Sequence, residues 1–274
     1  MKQTTAIGIV FTAVAAMLAV ILEGGNPAAF INIPAFSVVI GGTLGVCLAG
    51  QGIEKTKAIP KLFIVAVKGV TPDMRPMKDK MVAVAEKARR DGLLALESDL
   101  KEIDDDYARS GLQLVVDGAD SEVVQGMMES ELTNMEKRHA ANENVWRTAG
   151  GFGPTLGILG TVMSLVHVLE NLDDPGSLGH SIAGAFIATL YGVGSANAFY
   201  FPVANRLKEM STEEAHYREM VMEAVLAVQA GENPRLLAER LDTFLPPAER
   251  GQEAHAAKKS KAAAADGAAA EATA

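Results

Sequence analysis

Residues 149–205 hold two long stretches with no formal charge. Ala149–Leu169 is 21 residues and Ser181–Asn205 is 25 residues without an Asp, Glu, Lys or Arg, and a short acidic turn separates them. A helix needs about 20 apolar residues to cross the hydrocarbon core of a bilayer. Each run is therefore one crossing, and the pair predicts a transmembrane hairpin. Both runs are rich in Gly and carry Thr, Ser and Pro. That composition suits helices that approach each other closely around a polar path, not anchors facing lipid.

The bulk numbers agree with a membrane protein that has soluble parts. Mean hydropathy is +0.14 although 22% of the residues are charged, so apolar blocks alternate with very polar ones. The net charge of −9 gives a nucleic-acid partner no electrostatic support. Cys47 is the only cysteine, which rules out a disulfide within the chain and any Cys/His zinc pattern. Nothing in the sequence asks for a metal or a cofactor. Lys2 precedes the uncharged 19 residues Thr4–Leu22. That run is longer than the apolar core of a signal peptide, and another apolar stretch follows it, so it reads as a retained span.

The predicted fold class is an all-α membrane protein with four transmembrane helices and a large helical cytoplasmic domain. Residues 1–50 carry the first two spans, Thr4–Leu22 and Phe30–Gly50, with a short outside loop. The second span starts near Pro34, since proline is tolerated in a first turn. Residues 51–147 form the polar helical domain. Within it Ile59–Val70 has an apolar face and lysines opposite, as a helix along the membrane surface would. Met77–Asp104 has helical periodicity, and Ser121–Trp146 reads as a long amphipathic helix with Ser121 as its N-cap. Residues 148–205 are the hairpin and 206–247 are C-terminal helices. Residues 248–274 are an Ala/Lys-rich tail whose composition predicts disorder.

Basic residues orient the spans. One stands at Lys2, 15 lie in 51–147, and nine lie from Arg206 onward, while the two short connections have none. By the positive-inside rule both termini and the large loop are cytoplasmic.

An ion crossing the bilayer needs oxygens or titratable groups on its way. The four spans contain no carboxylate; Glu23 and Glu170 stand at their ends. The hairpin offers only neutral groups: Thr155, Thr161, Ser164, Thr189, Tyr191, Ser195 and Asn197, with His167 near the outer end as an interfacial residue. If the hairpin conducts, the key carboxylate belongs to another polypeptide. Pro154 and Pro202 stand at matching depths near the inner side, where interior prolines free carbonyls and kink helices. Gly184, Ala188, Gly192 and Ala196 make a small-residue stripe at four-residue spacing. It serves close packing either inside one subunit or at a seam between subunits of a ring.

Several phrases together resemble the MotA/PomA family of flagellar motor stator subunits, within the MotA/TolQ/ExbB proton channels. They are GPTLGILGTVMSLVHVLENLDDPGSLG (153–179), ATLYGVGSANAFYFPVANRLK (188–208), LVVDGADSEVV (114–124) and GENPRLLAERLDTFLP (231–246). The resemblance covers residues 5–247. It implies a multi-pass protein of the bacterial inner membrane that is not an enzyme. Such subunits form a homo-oligomer, a pentamer, around a MotB-type dimer whose helix supplies the ion-binding aspartate. Flux of H+ or Na+ then turns the ring, which pushes the rotor protein FliG.

The resemblance also assigns residues. Pro154 and Pro202 match the family's two functional prolines, and Thr189 matches a threonine facing the MotB aspartate. Thr161 matches a threonine of sodium-type stators. AEKARRDGLLALE resembles the rotor-facing helix, which puts Arg89, Arg90 and Glu97 at FliG, with Arg235 as a further candidate. Membrane lipid is the remaining expected partner. The alternative is an ExbB/TolQ-like energiser of an envelope process, and a third reading is a membrane scaffold without ion flux.

Overall fold

Four helices of the computed structural model are long and apolar enough to span a membrane. The structure describes residues 4–70, 72–170 and 175–250, apart from the side chains of 175–177 and 180. The tip of the acidic turn, 171–174, and most of the expected tail, 251–274, lie outside the described residues. Among those described there is no strand.

Helix α1 is Thr4–Leu22 and α2 is Ile33–Gln51, which contains a π turn at Ser37–Gly41. The Asn32 side chain starts α2 by accepting from the Ala35 N–H at 2.9 Å, with Pro34 in the first turn. Helices α3 (Ile53–Lys57) and α4 (Ile59–Lys68) follow. Then come α5 (Met74–Asp91), α6 (Asp106–Val116) and α7 (Ser121–Glu170). Helix α8 (Pro175–Ser195) passes through a π turn, Ala196–Tyr200, into α9 (Phe201–Gln229), and α10 is Pro234–Leu241.

Three expectations change. The periodic stretch Met77–Asp104 is not one helix. Gly92 takes φ +86°, a conformation that side chains resist, and closes α5; short 3-10 turns then carry Leu93–Leu96 and Asp99–Glu102. Conversely, the amphipathic helix and the third span are a single helix of 50 residues, because nothing between Trp146 and Gly153 stops it. The apolar face of α4 also meets protein: Leu62 and Ala66 are buried in an aromatic cluster with Trp146 and Tyr200.

The described residues fall into two compact units, those within 1–71 and 134–213, and those within 72–133 and 214–274. Helices α7 and α9 contribute to both. The first unit holds the spans and has two cores. One gathers Cys47, Leu62, Ala66, Trp146, Ala149, Tyr200, Val203 and Ala204, with Phe63 and Phe199 against it. The other is Ala35, Ile187 and Ala188. No residue of α1 is buried within the chain.

The second unit has a larger core of Met, Leu, Val and Ala from α5, α6, α7, α9 and α10, including Met81, Leu112, Met128, Met220 and Leu237. Polar ties surround it. The Tyr217 hydroxyl donates to Asp105 at 3.1 Å, Asp105 also caps α6 at the Ala108 N–H, and the Tyr107 hydroxyl donates to the Met128 carbonyl at 3.1 Å. Lys78, only 7% exposed, bonds Asp242 at 2.6 Å and so fastens the end of α10 to α5.

Candidate functional site

Glycine decides how the hairpin closes. Gly153, Gly157 and Gly160 on α7 face the stripe on α8 and the following π turn. A Cβ at Gly192 would lie 2.6 Å from the Gly153 carbonyl oxygen and 2.9 Å from Gly157 Cα. A Cβ at Gly157 would lie 2.9 Å from the Ala188 oxygen. The two backbones therefore touch, as small residues allow between membrane helices. Gly184, Ala188, Gly192 and Ala196 are all buried within the single chain, so this stripe serves packing inside one subunit. Gly184 turns to α2, where the Asn32 amide nitrogen sits.

That close seam brings two threonines together. Thr161 Oγ1 lies 2.6 Å from Thr189 Oγ1, 2.8 Å from the Ala185 carbonyl oxygen and 3.1 Å from the Gly157 carbonyl oxygen. A hydroxyl has one proton, and a carbonyl can only accept. Thr161 gives its proton to one carbonyl at a time, and its contact with Thr189 is then attractive only when Thr189 donates to it. The lone pairs of Thr189 then remain for something that is not this chain. A hydroxyl so placed accepts from a protonated acid or ligates a cation. It does not welcome a bare carboxylate, which would need the proton already given to Thr161.

The other expected pathway residues have different surroundings. The Tyr191 hydroxyl donates to the Phe30 carbonyl and accepts from the Asn32 N–H at 3.3 Å, while its ring meets Phe36 edge-on at 6.3 Å. It ties the fourth span to the segment entering the second. Thr155 donates to the Phe152 carbonyl at 2.8 Å and is exposed. Pro154 sits inside α7 without breaking it. Pro202 is the second residue of α9, directly after the π turn, which absorbs the loss of one backbone donor.

In the second unit Arg89, Arg90 and Glu97 are exposed around the end of α5. Arg90 is held by Asp91 through two bonds of 2.9 Å. This hydrogen bond raises the Arg90 guanidinium above its ordinary value and holds the Asp91 carboxyl below the usual range. Lys87 at 2.6 Å likewise lowers Asp99. Arg89 and Glu97 have no ion pair among the described residues. Arg235 is 87% exposed in its side chain and 3.8 Å from Glu239. Helix α10, which carries it, packs on α5.

Sequence reasoning did not single out Asn32, the Ala185 carbonyl, or the Lys78–Asp242 pair. Asn32 was legible as the cap before Pro34. A backbone carbonyl leaves no mark in the sequence, and Lys78 reads like any lysine on a polar helix. Among the described residues no group of His, Cys, Asp or Glu could hold a metal ion.

Comparison with known proteins bears on this geometry. Residues 99–220 match the model of the MotA/TolQ/ExbB proton channel family. The chain is 35% identical over 254 residues to Motility protein A of Bacillus subtilis (strain 168), covering 91% of this chain and 93% of that protein. It is 33% identical over 257 residues to Chemotaxis protein PomA of Vibrio alginolyticus, covering 92% and 99%. Its fold resembles the flagellar MotAB stator complex from Bacillus subtilis with a TM-score of 0.85 at 34% identity, covering 91% of this chain and 99% of that one. For C. jejuni MotAB the TM-score is 0.85 at 30% identity, covering 90% and 97%.

Proposed function

This chain belongs to the MotA/TolQ/ExbB proton channel family and is a flagellar stator subunit, and from that premise we propose how it couples ion flux to torque. Copies of the chain assemble as a ring, a pentamer, around a MotB-type dimer in the bacterial inner membrane. Both termini and the charged helical unit are cytoplasmic. The partner's aspartate stands beside Thr189, in the place where the spans have oxygens but no charge of their own.

A carboxylate near the bilayer centre costs about 3 kcal/mol on insertion scales. Loading it with H+ or Na+ removes most of that cost. The Thr161–Thr189 pair favours the loaded state, because Thr189 presents lone pairs and keeps its proton on Thr161. Loading therefore releases the ring to step, and unloading toward the Pro154 and Pro202 level resets it. Arg89, Arg90, Glu97 and Arg235 pass the step to FliG by charge contacts, which favour fast and reversible engagement.

The observation that carries this reading is the 2.6 Å hydroxyl pair between two spans that lack a carboxylate. The test is Thr189→Val, which keeps the shape and deletes the oxygen. Loss of ion flux and of motility is expected, with normal membrane levels and normal partner assembly. Unchanged flux and motility would sink the role of Thr189 and favour a scaffold. Swimming speed against external sodium, with a proton uncoupler as control, identifies the ion.

A further inference from the structure

A second polar feature lies on the outer side of the spans. A cleft of about 340 Å³ opens between the start of α2 and the outer halves of α7 and α8. Asn32, Ser164, His167 and Ser181 line it, and it ends near Gly160 and Ala188. At the floor a Cβ on Gly160 would touch Ala188 Cβ at 3.0 Å, so the seam is shut there.

Ser164 and Asn32 keep polar atoms open toward this cleft. Ser164 Oγ donates its one proton across the hairpin to the Ser181 carbonyl at 3.0 Å, which leaves the oxygen's lone pairs. The Asn32 side chain accepts at Oδ1 from the Ala35 N–H, while its Nδ2 has no partner among the described residues. Gly184 keeps room between them: a Cβ there would stand 3.0 Å from Asn32 Nδ2 and 3.7 Å from Ser164 Oγ. A donor and an acceptor left open at membrane depth are costly against hydrocarbon and are found where water fills a cavity. The volume holds about ten waters at roughly 30 Å³ each.

We propose that this cleft is a water-filled outer vestibule through which a monovalent cation, hydronium or metal, reaches the level of the threonine pair. From His167 to Gly160 along α7 it runs about 10 Å, a third of the hydrocarbon thickness. Its inner end is flanked by the residues next to Thr161 and Thr189. Its oxygens and amide are neutral, so a cation passes without being held. As a route for ions the proposal rests on the conduction reading above; as a wet cleft it stands on the geometry alone.

The test uses the full chain with its partner in cell membranes, with Cys47, buried in the inner cluster, replaced by Ala. Ser164→Cys places a thiol in the cleft, and Leu165→Cys places one on the exposed apolar surface of the same helix. A membrane-impermeant cationic thiosulfonate is added from outside. A thiol must meet water to ionise and react, so labelling about ten times faster at Ser164→Cys than at Leu165→Cys is expected. Ion flux then falls as labelling proceeds. Ser181→Cys at the rim repeats the test if Ser164→Cys does not insert. Equal rates would mean a cleft closed to water and overturn the proposal. Labelling that leaves flux intact would overturn its role as the route. Absence of flux in the unlabelled Cys47→Ala parent counts against conduction, and the route with it, while the labelling rates still decide whether the cleft is wet.

Discussion

Thr189 does not make the bond that a threonine in a helix usually makes. The common partner is the carbonyl four residues back, here Ala185, and Thr161 from the other helix occupies that oxygen at 2.8 Å. Thr161→Ala would free the Ala185 carbonyl and let Thr189 turn back on its own helix, away from an incoming ion. One hydrogen bond is worth about 1 kcal/mol, so ion flux should fall by roughly fivefold, while Thr161→Ser retains it. Flux measured in vesicles checks this; equal flux in Thr161→Ala would show that Thr161 does not orient Thr189.

The charged residues allow a similar comparison. Arg90 is already engaged with Asp91, whereas Arg89 has no such partner among the described residues. Both Arg89→Glu and Arg90→Glu should impair motility, Arg89→Glu more, and a compensating charge reversal on FliG should restore it. Full motility in either variant removes that residue from the rotor face. Thr161 and Thr189 could be chosen from the sequence because hydroxyls are few in an uncharged run. Their contact could not: 28 residues separate them, and the register is fixed by backbones that touch only where side chains are missing.

Among the elements, the hairpin seam makes the sharpest demand. Gly157→Ala inserts a Cβ 2.9 Å from a backbone oxygen, which cannot swing aside. Overpacking of this kind costs about 1–3 kcal/mol. Gly194→Ala meets nothing within 4 Å and should cost nothing. Melting temperatures of the purified protein in detergent test the pair, and equal values would show that the seam tolerates separation. The partners Gly153, Gly157 and Gly160 on α7 emerge only from the packing, whereas the small-residue stripe on α8 was visible in the sequence. Left open there was whether the stripe met its own chain or another copy. The stretch after Asp91 misled for a plain reason. Apolar residues at helical spacing also suit two short 3-10 turns over a core, and only the backbone of Gly92 distinguishes the two.

For the whole molecule, charge patterning located the spans well and the units poorly. Runs of charge place boundaries near 51 and 147, yet residues 51–71, 134–147 and 206–213 group with the spans. Polar helices can pack on apolar ones through their inner faces, as α4 does, and composition alone does not report that. The second unit has its own response to pH. Burial pushes the Tyr107 phenol up to about 12 and raises Tyr217 as well. A phenol whose folded value exceeds its unfolded value near 10 supports the fold while it is protonated. That support is complete below about pH 10 and is lost as pH rises through about 12. Melting temperature should therefore drop between about pH 10 and about pH 12, and less steeply in Tyr107→Phe. An unchanged slope in the variant would mean that other groups govern alkaline unfolding.

Two of the four spans contain a proline and a π turn within a few residues of each other: Pro34 with Ser37–Gly41, and Pro202 with Ala196–Tyr200. A π turn is an α-helix with one residue too many. Each of these spans thus stores a spare residue, worth about 100° of rotation if the turn tightened to ordinary α geometry. Side chains on opposite sides of the turn are phased by that surplus. Removing the spare residue from Ala196–Tyr200 would leave a regular helix with both ends facing as they do now, whereas winding it in would turn the far end. For this chain, tightening either π turn is a change of gearing with no change in the number of residues.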